Sequence, residues 1–190
     1  MKIEIVTSNR QKANLAAETM APFGIEVERV EAELIESRSL EPAEIALEKA
    51  SQAFRHLQKP LIVEDSGFFI RALNGFPKTH IKFSLQTLGI EKIMKMMEGE
   101  LDRHAEWRSS VAYVSQDGES KVFTFIEEGE IAKEIRDEKR EKMSDYWRIY
   151  IPRMTGNSLT LSEMSDETMA RWHDEWHKNN HFVMLARWLT

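Results

Sequence analysis

The 190-residue chain contains no cysteine. Disulfide scaffolds, thiolate metal sites and cysteine nucleophiles are therefore excluded. Glycine (8) and proline (5) are scarce, so the composition is neither collagenous nor that of a low-complexity linker. No apolar run approaches the roughly 20 residues that span a bilayer, and the first residues enter a strand-like segment with no signal-like apolar stretch. Positive charge is also in deficit, with 26 Lys plus Arg against 32 Asp plus Glu and a formal net charge of −6. A broad surface for duplex nucleic acid is not expected, although a local basic pocket is compatible with that balance. What is present, 42% hydrophobic and 31% charged residues, is an ordinary globular composition, long enough to bury a substantial core. The expectation is a cytoplasmic protein with no nucleic-acid or membrane partner.

Strand-like and helix-like segments interleave, which makes α/β the default class. Lys2–Val6 is rich in β-branched residues and reads as a strand. A helix over Gln11–Ala21 follows, with Ser8 or Asn9 as its cap. Ile25–Val30 reads as a second strand, and Pro42 opens a helix whose apolar face runs through Ile45, Leu47, Ala50 and Phe54. Pro60–Val63 is a short buried strand feeding a turn at Glu64-Asp65-Ser66-Gly67. Ile81–Leu88 and Ile90–Met97 are short helices. Ser109–Ser115 and Lys121–Glu127 form a hairpin, Trp147–Ile151 is a last strand, and Leu161–Leu189 is one helix or two. The whole chain, 1–190, is expected to be a single folded unit with two lobes.

Four places carry residues suited to chemistry. In the first, Thr7-Ser8-Asn9-Arg10-Gln11-Lys12 joins a strand to a helix N-terminus, where free N–H groups and Lys12 suit a phosphate. The glycines of a Walker loop are missing, so a plainly capped helix is the competing reading. The second is Asp65, with Glu64 beside it, at a strand end, where carboxylates hold Mg²⁺ or activate water; the alternative is a capped turn. In the third, Glu36 lies among Glu31, Glu33, Glu41 and Glu44, a pattern that also describes a solvated acidic loop. In the fourth, His173, His177 and His181 are spaced by four and would share a helix face able to bind zinc. Asp174 stands where a metalloprotease helix has Glu, and Asn179-Asn180 interrupts the pattern. The mixed charges of Lys133–Lys142 read as a solvated helical face.

Together these segments resemble the inosine triphosphate pyrophosphatase-like family. The resemblance is carried by Ile5-Val6-Thr7-Ser8-Asn9-Arg10-Gln11-Lys12 and by Glu36 with Glu44-Ile45 and Glu48-Lys49-Ala50. Its most specific part is Ile62-Val63-Glu64-Asp65-Ser66-Gly67-Phe68-Phe69 followed by Ala72-Leu73-Asn74-Gly75-Phe76-Pro77. Ser162-Glu163-Met164 adds a late match. The resemblance implies a long, mixed, curved central sheet flanked by helices in two lobes with a cleft between them, as a homodimer. It implies hydrolysis of a nucleoside triphosphate, a non-standard or modified purine, to the monophosphate and pyrophosphate. By the same resemblance, Glu36 and Asp65 bind Mg²⁺, with Mn²⁺ as an alternative, and Asp65 orients or deprotonates the attacking water. Thr7, Ser8, Asn9, Lys12, Lys49 and Lys82 hold phosphate, and Ser66 sits beside the nucleotide.

Where the chain departs from the family, it does so mostly at the base. Ser8 replaces the glycine of the opening loop, and Lys78 replaces another after the Phe-Pro turn. The base-reading loop is represented by Met143-Ser144-Asp145-Tyr146-Trp147-Arg148, which keeps only the tyrosine. The family's lysine before Ser-His-Arg falls near Trp172, and Ser-His-Arg itself corresponds at best to Trp176-His177-Lys178. Tyr146, Trp147, His177 and Lys178 are thus the candidate base contacts. Two outcomes are compatible with this pattern: an enzyme with altered base recognition, or a nucleotide-binding protein of the same fold with little turnover.

Overall fold

The computed structural model describes residues 1–35, 38–136 and 144–190. Its strands form one open, mixed, seven-stranded sheet. They are β1 (Lys2–Val6), β2 (Glu26–Val30), β3 (Leu61–Ile70), β4 (Pro77–Lys78), β5 (His104–Val114), β6 (Ser120–Ile131) and β7 (Tyr150–Pro152), in the order β2-β1-β3-β5-β6-β7 with β4 pairing β3. β1 runs parallel to β2 and β3, while β3–β4 and β6–β7 are antiparallel. The helices are α1 (Arg10–Met20), α2 (Pro42–Leu57), α3 (Ile81–Thr87), α4 (Gly89–Met96), α5 (Asp166–Asn179) and α6 (His181–Leu189).

The chain partitions into two compact units. One comprises Met1–Ser66, Ser109–Phe125 and His177–Thr190, and the other Gly67–Arg108 and Ile126–Trp176. In the first unit, strand side chains alternate between two separate cores. Ile3, Ile5, Ile62, Val111 and Tyr113 pack with Ala13, Ala16 and Met20 of α1 and Phe182, Leu185 and Ala186 of α6. The intervening residues Val6, Leu61, Val63, Ala112 and Val114 pack with Ala46, Ala50 and Ala53 of α2. Central strands buried on both faces explain why Leu61-Ile62-Val63 is uniformly apolar rather than alternating. Small alanines on both α1 and α2 let the helices approach the sheet closely. Asn9 caps α1, as its sequence position suggests, and the left-handed Gly24 ends the short 3₁₀ turn Ala21–Phe23 that follows it.

The second unit is centred on aromatic rings. Phe68 lies 4.7 Å from both Trp107 and Tyr146, and 5.4 Å edge-on from Tyr150, between ring centroids. Buried hydroxyls in this cluster are satisfied: Tyr146 Oη and Ser84 Oγ are 2.9 Å apart, and Tyr150 Oη donates to the Glu127 carbonyl at 2.8 Å. Glu127 is itself buried, and its carboxylate accepts the indole N–H of Trp172.

Two expectations change. β3 does not end at Val63 but continues through the Glu64-Asp65-Ser66-Gly67 motif to Ile70, so those residues are strand, not turn. Gly67 permits this: a Cβ there would lie 3.0 Å from the Lys78 carbonyl oxygen of β4 and 2.8 Å from the Phe69 ring. Trp147–Ile151 is not a continuous strand, because Asp145–Arg148 forms a 3₁₀ turn capped by Ser144 and only Tyr150–Pro152 pairs. Of the two arrangements expected after Thr160, the structure has two α-helices, with Asn180 capping the second. Residues 137–143, including Met143 and most of the charged stretch 133–142, lie outside the described residues, as do Glu36 and Ser37.

Two substitutions test this packing. A Cβ at Gly129 would meet the Ile151 carbonyl oxygen at 2.4 Å and the Tyr150 ring at 2.5 Å. Gly129→Ala should therefore lower stability by roughly 1–3 kcal/mol, read as a lower denaturation midpoint. Burial pushes the Glu127 carboxyl up from 4.5 to about 7, against the Trp172 hydrogen bond, which lowers it. A carboxyl raised in the native state favours folding while protonated and opposes it once ionised, so stability falls between pH 4.5 and about 7. Glu127→Gln should remove that slope and raise stability at pH 8 by up to about 3 kcal/mol relative to wild type, measured by urea unfolding across pH.

Candidate functional site

The first unit brings together lysines from two helices and two acids from one strand. Lys12 stands in the first turn of α1, whose start is set by Asn9: its Oδ1 accepts from the backbone N–H of Gln11 at 2.9 Å and Lys12 at 3.3 Å. Thr7 Oγ1 in turn accepts the Asn9 N–H at 3.1 Å. Lys49 stands on the second turn of α2. Between them, β3 runs on past the parallel pairing of Ile5 with Ile62 and carries Glu64 and Asp65 at successive positions. Successive strand residues face opposite sides. Ile62 belongs to the core under α1 and Val63 to the core under α2, so Glu64 turns to α1 and Asp65 to α2. The pairs match: Lys12 Nζ lies 2.7 Å from Glu64 Oε2 and Lys49 Nζ lies 2.9 Å from Asp65 Oδ2. Asp65 Oδ1 accepts the Ser66 N–H at 2.9 Å, which fixes the carboxylate plane.

These four side chains are largely withdrawn from water, with exposures of 27% for Lys12, 6% for Glu64, 13% for Lys49 and 16% for Asp65. The two pairs are electrostatically one cluster. Burial works against the charge on Lys12, but Glu64 first and then Asp65 outweigh it and hold its pKa above 10.5, while Lys49 opposes them. For Asp65 the balance tips the other way. Burial raises its carboxyl above the usual 3.8, Lys12 and Lys49 only partly offset that rise, and Glu64 adds to it. Two ion pairs in so dry a place are weak contributors to stability, because desolvation offsets most of the Coulomb attraction. Titratable groups perturbed by burial and by named charges are what reactive sites contain.

The remaining candidates are distributed differently. Ser8 is exposed and Thr7 half-buried beside the cluster in sequence, and Ser66 follows Asp65 on β3. Glu36 lies outside the described residues. Lys82 is exposed in the first turn of α3 in the second unit. Tyr146 is fully buried, its hydroxyl shared with Ser84 and pushed up to about 12 by burial, so here it is a core residue. Trp147 is half-buried and meets the Trp172 ring at 6.3 Å. His177 Nδ1 lies 3.2 Å from Thr19 Oγ1, and Lys178 is exposed with its carbonyl accepting from Arg187 at 3.0 Å.

The family resemblance gives no role to Glu64 or His181. Glu64 is visible in the sequence as half of a Glu-Asp pair, but only the strand's alternation shows that it faces α1. His181 is 2% exposed, and burial, reinforced by the charge of Lys12, lowers it to about 3, so it stands neutral behind the cluster. His173, His177 and His181 do not share one helix, since α5 ends at Asn179. Among the described residues no group of three or more His, Asp or Glu is placed to hold a metal ion. No helix among them is long and apolar enough to cross a membrane.

Comparison with known proteins places the chain in a family. The dITP/XTP pyrophosphatase of Methanopyrus kandleri is 38% identical over 190 aligned positions, covering 95% of this chain and 98% of that one. That of Ignicoccus hospitalis is 33% identical, covering 100% and 97%. Among solved structures, the Staphylococcus aureus Ham1 protein superposes with a TM-score of 0.77 at 24% identity, covering 100% of this chain and 98% of its own. A HAM1 protein from Coxiella burnetii gives 0.78 at 22%, with the same coverage. The model of the Ham1 family matches residues 3–175, and the chain belongs to that family.

Proposed function

We propose that this protein is a nucleoside-triphosphate pyrophosphatase, cutting between the α and β phosphates to give a monophosphate and pyrophosphate. The observation that carries this reading is the convergence of Lys12, Lys49, Glu64 and Asp65 from three separate segments. In the reaction, water adds to phosphorus as the anhydride bond breaks, pyrophosphate leaves, and the water's proton passes to a carboxylate. Asp65 is suited to accept that proton, because its carboxylate is fixed by Ser66 N–H and Lys49 and its raised pKa favours holding one. Lys12 and Lys49 offer the positive charge that developing phosphoryl charge requires.

A divalent cation fits this donor set. The Asp65 carboxylate presents only oxygen, which suits Mg²⁺ or Mn²⁺, and burial keeps its carboxyl raised despite the two lysines. When bound, the cation supplies charge neutralisation at phosphate oxygens. Asp65 would hold it, with Glu36 the second ligand by family resemblance. Taking up Asp65 would also release Lys49 towards phosphate.

The substrate class is a purine nucleoside triphosphate with a non-standard or modified base. Relatives named dITP/XTP pyrophosphatases support the deaminated purines. The departures at Ser144–Arg148 and Trp172 support a base preference altered from theirs.

Pyrophosphate release should be measured over a panel of standard, deaminated and modified NTPs and dNTPs. Asp65→Asn should lower kcat by about 10²–10⁴-fold with the fold intact. Lys12→Met should lower kcat/KM by at least about 100-fold. Chelation should abolish turnover, and added Mg²⁺ or Mn²⁺ should restore it. Nucleotide-dependent thermal stabilisation without pyrophosphate from any substrate would replace the enzyme reading with a binding one.

A further inference from the structure

One acid of the charged cluster in the first unit is not used by the chemistry above. Alternation along β3 sends Glu64 to the face opposite Asp65, so the two carboxylates do not converge on one cation. Glu64 is nonetheless costly to keep where it is, because its side chain is 6% exposed and a buried carboxylate needs a compensating partner. That partner is Lys12, whose Nζ lies 2.7 Å from Glu64 Oε2. The lysine is the shallower of the two, at 27% exposure, so the carboxylate lies on the buried side of the ammonium. The main chain at this turn is already engaged. Asn9 Oδ1 accepts from the backbone N–H groups of Gln11 and Lys12, and the Asn9 carbonyl accepts from Ala13 at 3.2 Å. What Lys12 can offer an anion is therefore its side chain.

We propose that Glu64 is a positioning residue, which holds the Lys12 ammonium in place to meet the phosphates of the substrate. The inference rests on the proposed function, in which Lys12 supplies charge to the phosphoryl group. A lysine is a point charge on a flexible stem, so its ammonium must be ordered before it can act at one place. Glu64 orders it in advance, and a preorganised charge needs no rearrangement when phosphate arrives. The pair stays intact as it does so. An ammonium has several N–H donors; Glu64 engages it from the buried side, and the rest remain for oxygens on the open side. Among the charged groups around Lys12, Glu64 exerts the largest attraction. Asp65 on the same strand is second, Lys49 of α2 repels it, and His181 of α6 is kept neutral by burial and by Lys12 itself.

A double-substitution cycle tests this. With the preferred nucleotide, Glu64→Gln should raise KM about tenfold while kcat stays within about threefold. Glu64→Asp, which keeps the charge one methylene further away, should raise KM only about threefold. Mere loss of a negative charge beside an anion site would lower KM instead, so the sign separates positioning from general electrostatics. In Lys12→Met there is no ammonium to hold, and adding Glu64→Gln should lower kcat/KM by less than about twofold further. A further loss of about tenfold in the double variant would overturn the inference, because Glu64 would then act on something other than Lys12. A KM at or below the wild-type value in Glu64→Gln or Glu64→Asp would overturn it too. If a variant that leaves its partner's charge buried alone does not fold, Glu64→Asp decides. Failure of the wild type to release pyrophosphate from any nucleotide would overturn the proposed activity. Affinity for inorganic pyrophosphate, measured by calorimetry, then decides on Glu64: weaker binding in Glu64→Gln than in wild type supports its role, and equal or absent binding in both overturns it.

Discussion

Two acids at consecutive positions of one strand, each neutralising a lysine from a different helix, are the contact around which the first unit is arranged. The placement depends on alternation along β3. Because Ile62 and Val63 commit the strand to opposite faces, Glu64 and Asp65 must leave on opposite faces as well. α1 covers one face and α2 the other, so each acid meets a lysine. An isolated carboxylate could not be held at 6% exposure beside two apolar cores, and a pair in such a place is held at little net gain.

The same arrangement gives the acids unequal characters. Lys12 stays firmly charged because two carboxylates reach it, whereas Asp65 is drawn towards protonation by burial and by Glu64. A fixed cation beside a carboxylate ready to take a proton is an acid–base division of labour produced by environment alone. His181 behind Lys12 does not share in it, since burial keeps its ring neutral.

Much of the local structure was legible in the residues. Asn9 was recognisable as a cap, Pro42 as a helix start and Asn179-Asn180 as an interruption, because capping and φ restriction act within a few residues. The length of β3 was not. Asp, Ser and Gly in succession normally signal a turn, and only the close approach of β4, which Gly67 alone allows, keeps the strand going. The surroundings of Tyr146 were not legible either: Phe68 and Ser84, far away in the chain, pack against its ring and share its hydroxyl.

By itself, the sequence determined the class of chemistry: oxygen donors and lysines without cysteine, an α/β alternation, and a motif around Asp65 specific enough to imply a family. These depend on residue type and short spacing, which the linear chain carries directly. The tertiary structure decided which charges meet. The Lys12–Glu64 pair and the Glu127–Trp172 contact join residues 52 and 45 positions apart. Such pairs exist only once strand register and helix placement set distances, because Coulomb and hydrogen-bond energies depend on separation in space and not along the chain.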